Sequence, residues 1–246
     1  MKITMQTDIG LKRSNNQDSI NKYTNKHGLE LIVLADGMGG HRAGNIASEM
    51  AVTDLGRSWV NSDFKELSKI RDWMFEIIEE ENQKIYELGQ TEDYKGMGTT
   101  IEAAAFVGNV VIFAHVGDSR VGLIRDGIYT LLTSDHSLVN ALVKAGQLTE
   151  EEAAVHPQKN IITQSVGQAA PLDIDVAVQV LQEGDYLLIN SDGLTNMVSN
   201  EDITSIILEE TDLDSKVQAL IDQANFAGGL DNITVALLEI ESEATK

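Results

Sequence analysis

Between Ile101 and Leu132 the sequence lays down four apolar segments in quick succession: Ile101 to Val107, Val110 to Val116, Val121 to Arg125 and Ile128 to Leu132. Gly108-Asn109 and Asp126-Gly127 tolerate a positive φ, so both read as two-residue hairpin turns. Strands joined this tightly leave no room for a crossover helix, which predicts antiparallel neighbours. Further strands are expected at Lys2 to Asp8, Leu29 to Asp36, Ile174 to Val180, Tyr186 to Asn190 and Asn232 to Ile240. Helical spacing appears from Ala43 to Ser62, from about Glu66 to Gln90 with Ser62 or Asp63 as its cap, and near Asn200 to Glu210 and Asp214 to Asn225. Strands and helices that come in blocks predict an α+β layered domain and argue against a doubly wound parallel sheet.

The 246 residues read as one domain, residues 1–246, with no evident linker, repeat or low-complexity tract. From Ser134 to about Gly167 the pattern loosens into short helical pieces, LVNALVKAGQ and TEEEAA and then HPQKN, and reads as an insertion or flap. No apolar run approaches the roughly 18 residues of a membrane helix, and no signal segment is recognisable, so a non-membrane, cytoplasmic protein is expected. The absence of cysteine removes disulfides, thiolate metal sites and cysteine nucleophiles. A formal charge of −21, from 39 acidic and 18 basic residues, repels nucleic-acid phosphate. With no heptad seam or obvious apolar patch, a monomer is the expectation.

One pattern recurs along the chain. Asp36 ends the apolar LELIVLAD, Asp118 follows VVIFAHVG, Asp192 follows DYLLINS, and Asp231 precedes NITVALLEI. Glycine adjoins the first three, while Asp8 and Asp18 flank the first turn. Taken singly, each aspartate reads as a turn former or helix cap. If the strand ends share one rim, their carboxylates converge there. Two such charges ~4 Å apart repel by about 4 kcal/mol at an effective dielectric near 20. A divalent cation resolves that repulsion, and an all-oxygen set suits Mg²⁺ or Mn²⁺ better than zinc. The glycines at 37, 39 and 40 would then let the chain turn tightly and bring a carbonyl toward the ion. Arg13, in TDIGLKRSNNQDS, offers a planar fork for a phosphoryl group, and His41 is the histidine nearest the cluster, a candidate proton donor. DGMGGHRAG completes neither a dinucleotide nor a P-loop fingerprint, and no GxSxG elbow or HExxH pair occurs.

The segments TDIGLKRSNNQDS, LADGMGGHRAG, GMGTT, AHVGDSR, HPQKNIITQSVG, NSDGLTN and GGLDNIT, in this order and across essentially the whole chain, resemble the metal-dependent serine/threonine protein phosphatases of the protein phosphatase 2C type found in bacteria. The resemblance implies an α-β-β-α sandwich of two packed antiparallel sheets flanked by helices, with metals in a cleft at one end. It implies Asp36 bridging two Mn²⁺ or Mg²⁺ ions, the Gly37 carbonyl on one and Asp192 and Asp231 on the other. Asp118 with Asp192 would form the acidic site of a third ion, and Asp18 would hold a water of the metal site. Arg13 matches the phosphate-binding arginine, and residues from about 138 to 164 match the flap. The implied activity is hydrolysis of phosphoserine and phosphothreonine on proteins by a metal-activated water, opposing a cognate Ser/Thr kinase.

Two positions depart from the pattern of many eukaryotic relatives: Gln17 stands where they carry Glu, and Met38, Gly39 and Gly40 separate Gly37 from His41. A non-catalytic phosphoprotein-binding regulator and a metallohydrolase acting on small phosphoesters are the competing readings. Manganese-dependent phosphate release from a phosphothreonine peptide, compared with a nucleotide, separates them.

Overall fold

The structure is a computed structural model and describes residues 1–40, 43–169 and 171–241. Among the described residues eleven strands form two antiparallel sheets. One sheet has the order β1-β11-β10-β7-β8, built from β1 (Lys2–Asp8), β7 (Arg120–Arg125), β8 (Ile128–Leu131), β10 (Tyr186–Asn190) and β11 (Ile233–Glu239). The other has the order β2-β3-β5-β6-β9, built from β2 (Asp18–Thr24), β3 (Glu30–Met38), β5 (Ile101–Val107), β6 (Val110–Val116) and β9 (Asp175–Val180); the short β4 (Gly98–Thr99) pairs with the end of β3.

Side-chain alternation explains the layers. On β3, Leu31, Val33 and Ala35 face α1 (Ala43–Asn61) and α2 (Leu67–Leu88), while Ile32 and Leu34 face the other sheet. On β11, Ile233, Val235 and Leu237 face the helices and Ala236 and Leu238 face inward. The helices on that side are the short α5 (Asp192–Thr195), α6 (Asn200–Ile207) and α7 (Leu213–Phe226). Both faces of each sheet are therefore covered, which is why the central strands are largely apolar, with Glu102, His115 and Thr234 as buried polar exceptions. The result is the α-β-β-α sandwich. Among the described residues no helix is long and apolar enough to cross a membrane.

Several expectations need correction. The first two hairpins form as anticipated, β5 with β6 and β7 with β8. However, β6 and β7 are not neighbours: the chain crosses from one sheet to the other through Gly117–Ser119. β3 continues two residues past Asp36, with Gly37 and Met38 paired to Thr99 and Gly98. Neither Ser62 nor Asp63 caps α2, whose N-cap is Glu66 without a side-chain bond; the Ser62 hydroxyl instead donates back to the Trp59 carbonyl at the end of α1. Helix α6 stops at Ile207, where the buried Lys216 ammonium donates to the carbonyls of Ile207 and Glu209 and so satisfies the helix end. Between β8 and β9 lie α3 (Leu138–Lys144) and α4 (Glu150–Ala154), the latter opened by a capping box of Thr149 and Glu152.

Candidate active site

Antiparallel register delivers the first pair of carboxylates. Asp18 on β2 stands directly opposite Asp36 on β3, so the two side chains share one face. Two threonines brace Asp36: the Thr100 hydroxyl accepts from its N–H at 2.9 Å, the Thr100 N–H donates to its carbonyl at 2.9 Å, and the Thr99 hydroxyl donates there too at 2.9 Å. Gly37 donates to the Gln17 carbonyl at 3.0 Å. A Cβ at Gly37 would lie 2.0 Å from the Gly44 carbonyl oxygen, so the glycine lets the start of α1 press against the strand. Gly40, by contrast, has open space around its absent side chain, and packing does not explain it.

The other three aspartates arrive from separate connections. Asp118 sits in the sheet-to-sheet crossing after β6. Asp192 is the first residue of α5, just past β10, rather than a strand end. A Cβ on the next residue, Gly193, would meet the Asn232 carbonyl oxygen at 1.9 Å, which locks the Ser191–Gly193 turn against the Asp231–Asn232 turn. Asp231 caps the Asn232 N–H through Oδ1 at 2.9 Å and accepts from Arg13 Nη2 through Oδ2 at 2.6 Å.

Three residues outside the expected set hold these turns together. Asn232 accepts from the Gln17 N–H at 2.8 Å and donates to the carbonyls of Ile9 and Asn15 at 2.9 and 3.0 Å. It thereby ties the N-terminal loop to the strand at the far end of the chain. The Ser191 hydroxyl donates to Asp18 Oδ2 at 2.7 Å and accepts from the Thr234 N–H at 3.0 Å. Thr100 is the third. The only trace of these roles in the sequence is their position inside GGLDNIT, NSDGLTN and GMGTT.

The structure thus gathers Asp18, Asp36, Asp118, Asp192 and Asp231 at one end of the sandwich. Burial lifts the Asp36 carboxyl well above the usual range, and the charges of Asp18, Asp192, Asp118 and Asp231 add to it. Asp192 is raised in the same way, by burial and then by Asp118, Asp231 and Asp18. Burial pushes Asp18 up to about 6 against the hydrogen bonds from Ser191 and its neighbours, and pushes Asp118 to about 6 with help from Asp135. Without a counter-charge the cluster holds protons.

Buried oxygens of three of these residues, Oδ1 of Asp18, of Asp118 and of Asp192, accept no hydrogen bond. Orphaned anionic acceptors are costly unless a cation takes them. Together with an all-oxygen donor set, they fit a hard divalent ion. Among the described residues no three histidine, aspartate or glutamate side chains surround a common point closely enough to hold one.

Arg13 is half-exposed, bonded to Asp231 and within reach of the charges of Asp36 and Asp192. His41 lies outside the described residues. A recess of about 230 Å³ opens beside Arg13, Gln17 and Gly39. On the other side a groove of about 660 Å³ runs from Asp118 and Asp192 between α3–α4 and α5–α6, lined by Ser134, Asp135, Asn140 and Lys159. Arg120 clamps Asp135 at its edge through two bonds of 2.9 and 2.6 Å.

The family model "Protein phosphatase 2C" matches residues 11–227. A putative protein phosphatase 2C-type of Streptococcus pyogenes is 69% identical over 243 residues, 99% of each chain. The solved serine/threonine phosphatase of S. agalactiae superposes with a TM-score of 0.96 at 69% identity, covering 98% of this chain and 99% of that one. The catalytic domain of the serine/threonine protein phosphatase PstP, solved in complex with two manganese ions, superposes with a TM-score of 0.84 at 32% identity, with 98% of each chain covered.

Proposed function

The chain belongs to the protein phosphatase 2C family, and on that premise we propose that it is a metal-dependent protein serine/threonine phosphatase that hydrolyses phosphoserine and phosphothreonine on proteins. The observation that carries the reading is the set of five aspartates on one rim, three of them with an orphaned, buried carboxylate oxygen. Asp36, the Gly37 carbonyl, Asp192 and Asp231 would hold two divalent ions, and Asp118 with Asp192 a third. Divalent manganese supplies Lewis acidity at such a rim, polarising phosphoryl oxygen and making water a competent nucleophile near neutral pH.

The chain's own residues do the rest. Asp18, oriented by the Ser191 hydroxyl, holds a water by its free Oδ1. Arg13, already poised over Asp231, turns its guanidinium to the non-bridging phosphoryl oxygens and offsets their charge. The leaving serine or threonine oxygen receives its proton from His41 in this reading. Thr99, Thr100 and Asn232 keep the carboxylates from relaxing apart. Residues 138–164 act as a flap bordering the groove in which the phosphoprotein chain lies. The physiological setting would be a cytoplasmic monomer opposing a Ser/Thr kinase.

The test is phosphate release from a phosphothreonine peptide with Mn²⁺ and with chelator. Manganese-dependent release, abolished by chelation and weak on a nucleotide, supports the reading. Equal release in both conditions contradicts it.

A further inference from the structure

A polar row, buried except at its outer end, crosses the sheet of β5, β6 and β9. Glu102 on β5 and His115 on β6 are register partners, and His115 is in turn the register partner of Asp175 on β9, so the three project to one face. Glu102 and His115 are wholly buried and hydrogen-bonded to each other, and this pair has no part in the hydrolysis described above. The ring of His136 packs against that of His115, tilted by 51° with centroids 4.6 Å apart.

His136 lies where the α3–α4 segment leaves the sheet. Its backbone N–H donates to the Gly117 carbonyl at 2.7 Å, and its carbonyl accepts from the Thr163 N–H at 2.7 Å, where the segment returns. Its Nδ1 accepts from the Gly117 N–H at 3.2 Å, so Nε2 carries the proton and donates to Asp175 Oδ2 at 3.3 Å. His115 Nε2 meets the Ser134 carbonyl at 3.3 Å, on the same root of the segment. His136 therefore joins the two roots of α3–α4 through its backbone, while its imidazole touches the residue immediately before Asp118 and reaches Asp175 on β9.

We propose that His136 is a positioning residue that couples the α3–α4 segment to the Gly117–Asp118 turn, with the Glu102–His115 pair as its floor and Asp175 as its outer anchor. The inference rests on the phosphatase reading and deepens it. A phosphorylated protein chain lies against the α3–α4 wall of the groove, whereas a small aryl phosphate needs only the aspartate rim. Loosening the anchor therefore weakens capture of a peptide and spares a small substrate. Losing the Gly117 contact moves Asp118 and reduces turnover of both.

The test uses the full chain with Mn²⁺ and four variants: Asp175→Ala, Asp175→Asn, His136→Asn and His136→Gln. Two readouts are compared, tryptic cleavage after Lys144 and Lys159 in the α3–α4 segment, and kcat and KM on a phosphothreonine peptide and on p-nitrophenyl phosphate. Asp175→Ala is expected to raise both the cleavage rate and the peptide KM about fivefold, the worth of one hydrogen bond, with p-nitrophenyl phosphate kinetics within about twofold of wild type. Asp175→Asn, which keeps an acceptor oxygen, restores both values. His136→Asn keeps an acceptor for the Gly117 N–H and behaves like Asp175→Ala. His136→Gln reaches Asp175 but not Gly117, and lowers kcat on both substrates.

Wild-type cleavage and peptide KM in Asp175→Ala, or the same loss in Asp175→Asn as in Asp175→Ala, overturns the proposal. If the His136 variants do not fold, the Asp175 pair decides alone, because that side chain is 55% exposed. Absence of manganese-dependent turnover in the wild type would overturn the phosphatase reading instead, and the cleavage comparison would still decide the coupling through His136.

Discussion

Ile32, Leu34 and Asp36 stand on the same face of β3, yet they sit in opposite worlds. Ile32 and Leu34 are completely buried in the apolar layer between the sheets. Asp36, one pleat further, is surrounded by the charges of four other aspartates, and its own carboxyl is lifted by burial and by them. The first region is satisfied as it stands; the second is assembled against its own electrostatics and held by Thr99, Thr100, Ser191 and Asn232. The strand register that builds the core thus also delivers the site, and stability is spent where a cation is to be received.

The largest effect that breaks this comparison is in activity. Asp36→Asn should reduce manganese-dependent phosphatase turnover to background, while the chelator-treated variant melts higher than chelator-treated wild type at pH 7.5, because one of the repelling charges is gone. Leu34→Ala should do the reverse, losing about 2–5 kcal/mol of stability in denaturant titrations while turnover per folded molecule stays within about twofold.

A smaller effect sharpens the contrast through pH. Asp18 and Asp118 have folded values of about 6 against an ordinary value of 3.8, so the folded state binds more protons than the unfolded one between those limits. Stability of the metal-stripped protein should therefore fall as pH rises from about 4 through about 6, and Mn²⁺ should restore it at neutral pH. Asp185 runs the other way. Its carboxyl is held low by the two bonds from Arg125, so its contribution is present above the unfolded value and lost only as pH falls below about 4. Melting curves of stripped protein across pH 4 to 8 check the sign; rising stability over that range would contradict it. The smallest effect is Ser191→Ala, which should cost about 1–3 kcal/mol by stranding the Thr234 N–H and one Asp18 oxygen.

Much of this was legible in the sequence because burial on both faces writes β3, β5, β6 and β11 as largely apolar runs, and because aspartate and glycine mark their ends. What was not legible has physical reasons. β2, DSINKYT, is an edge strand that pairs on one side only and keeps its Asn and Lys in solvent, so it carries no apolar signature. β4 is two residues long and exists through pairing with β3. The crossing at Gly117–Ser119 looks like any other turn until the sheet order is known. Asn232, Ser191 and Thr100 act through partners up to 223 residues away, a distance no local spacing encodes. Glu102 and His115 became a pair only once the register placed them opposite each other. The five aspartates were singled out from the pattern; their gathering is a finding of the fold, and their metal-holding roles are part of the proposal.

The most direct test is calorimetric titration of Mn²⁺ into the chelator-treated protein at pH 6, for wild type and Asp36→Asn, in two buffers of different ionisation heat. The account predicts saturable binding of at least two ions per wild-type chain with release of protons, since the clustered carboxyls give them up to the metal, and loss of the high-affinity step in Asp36→Asn. Binding that releases no protons, or that is the same in both proteins, would contradict it.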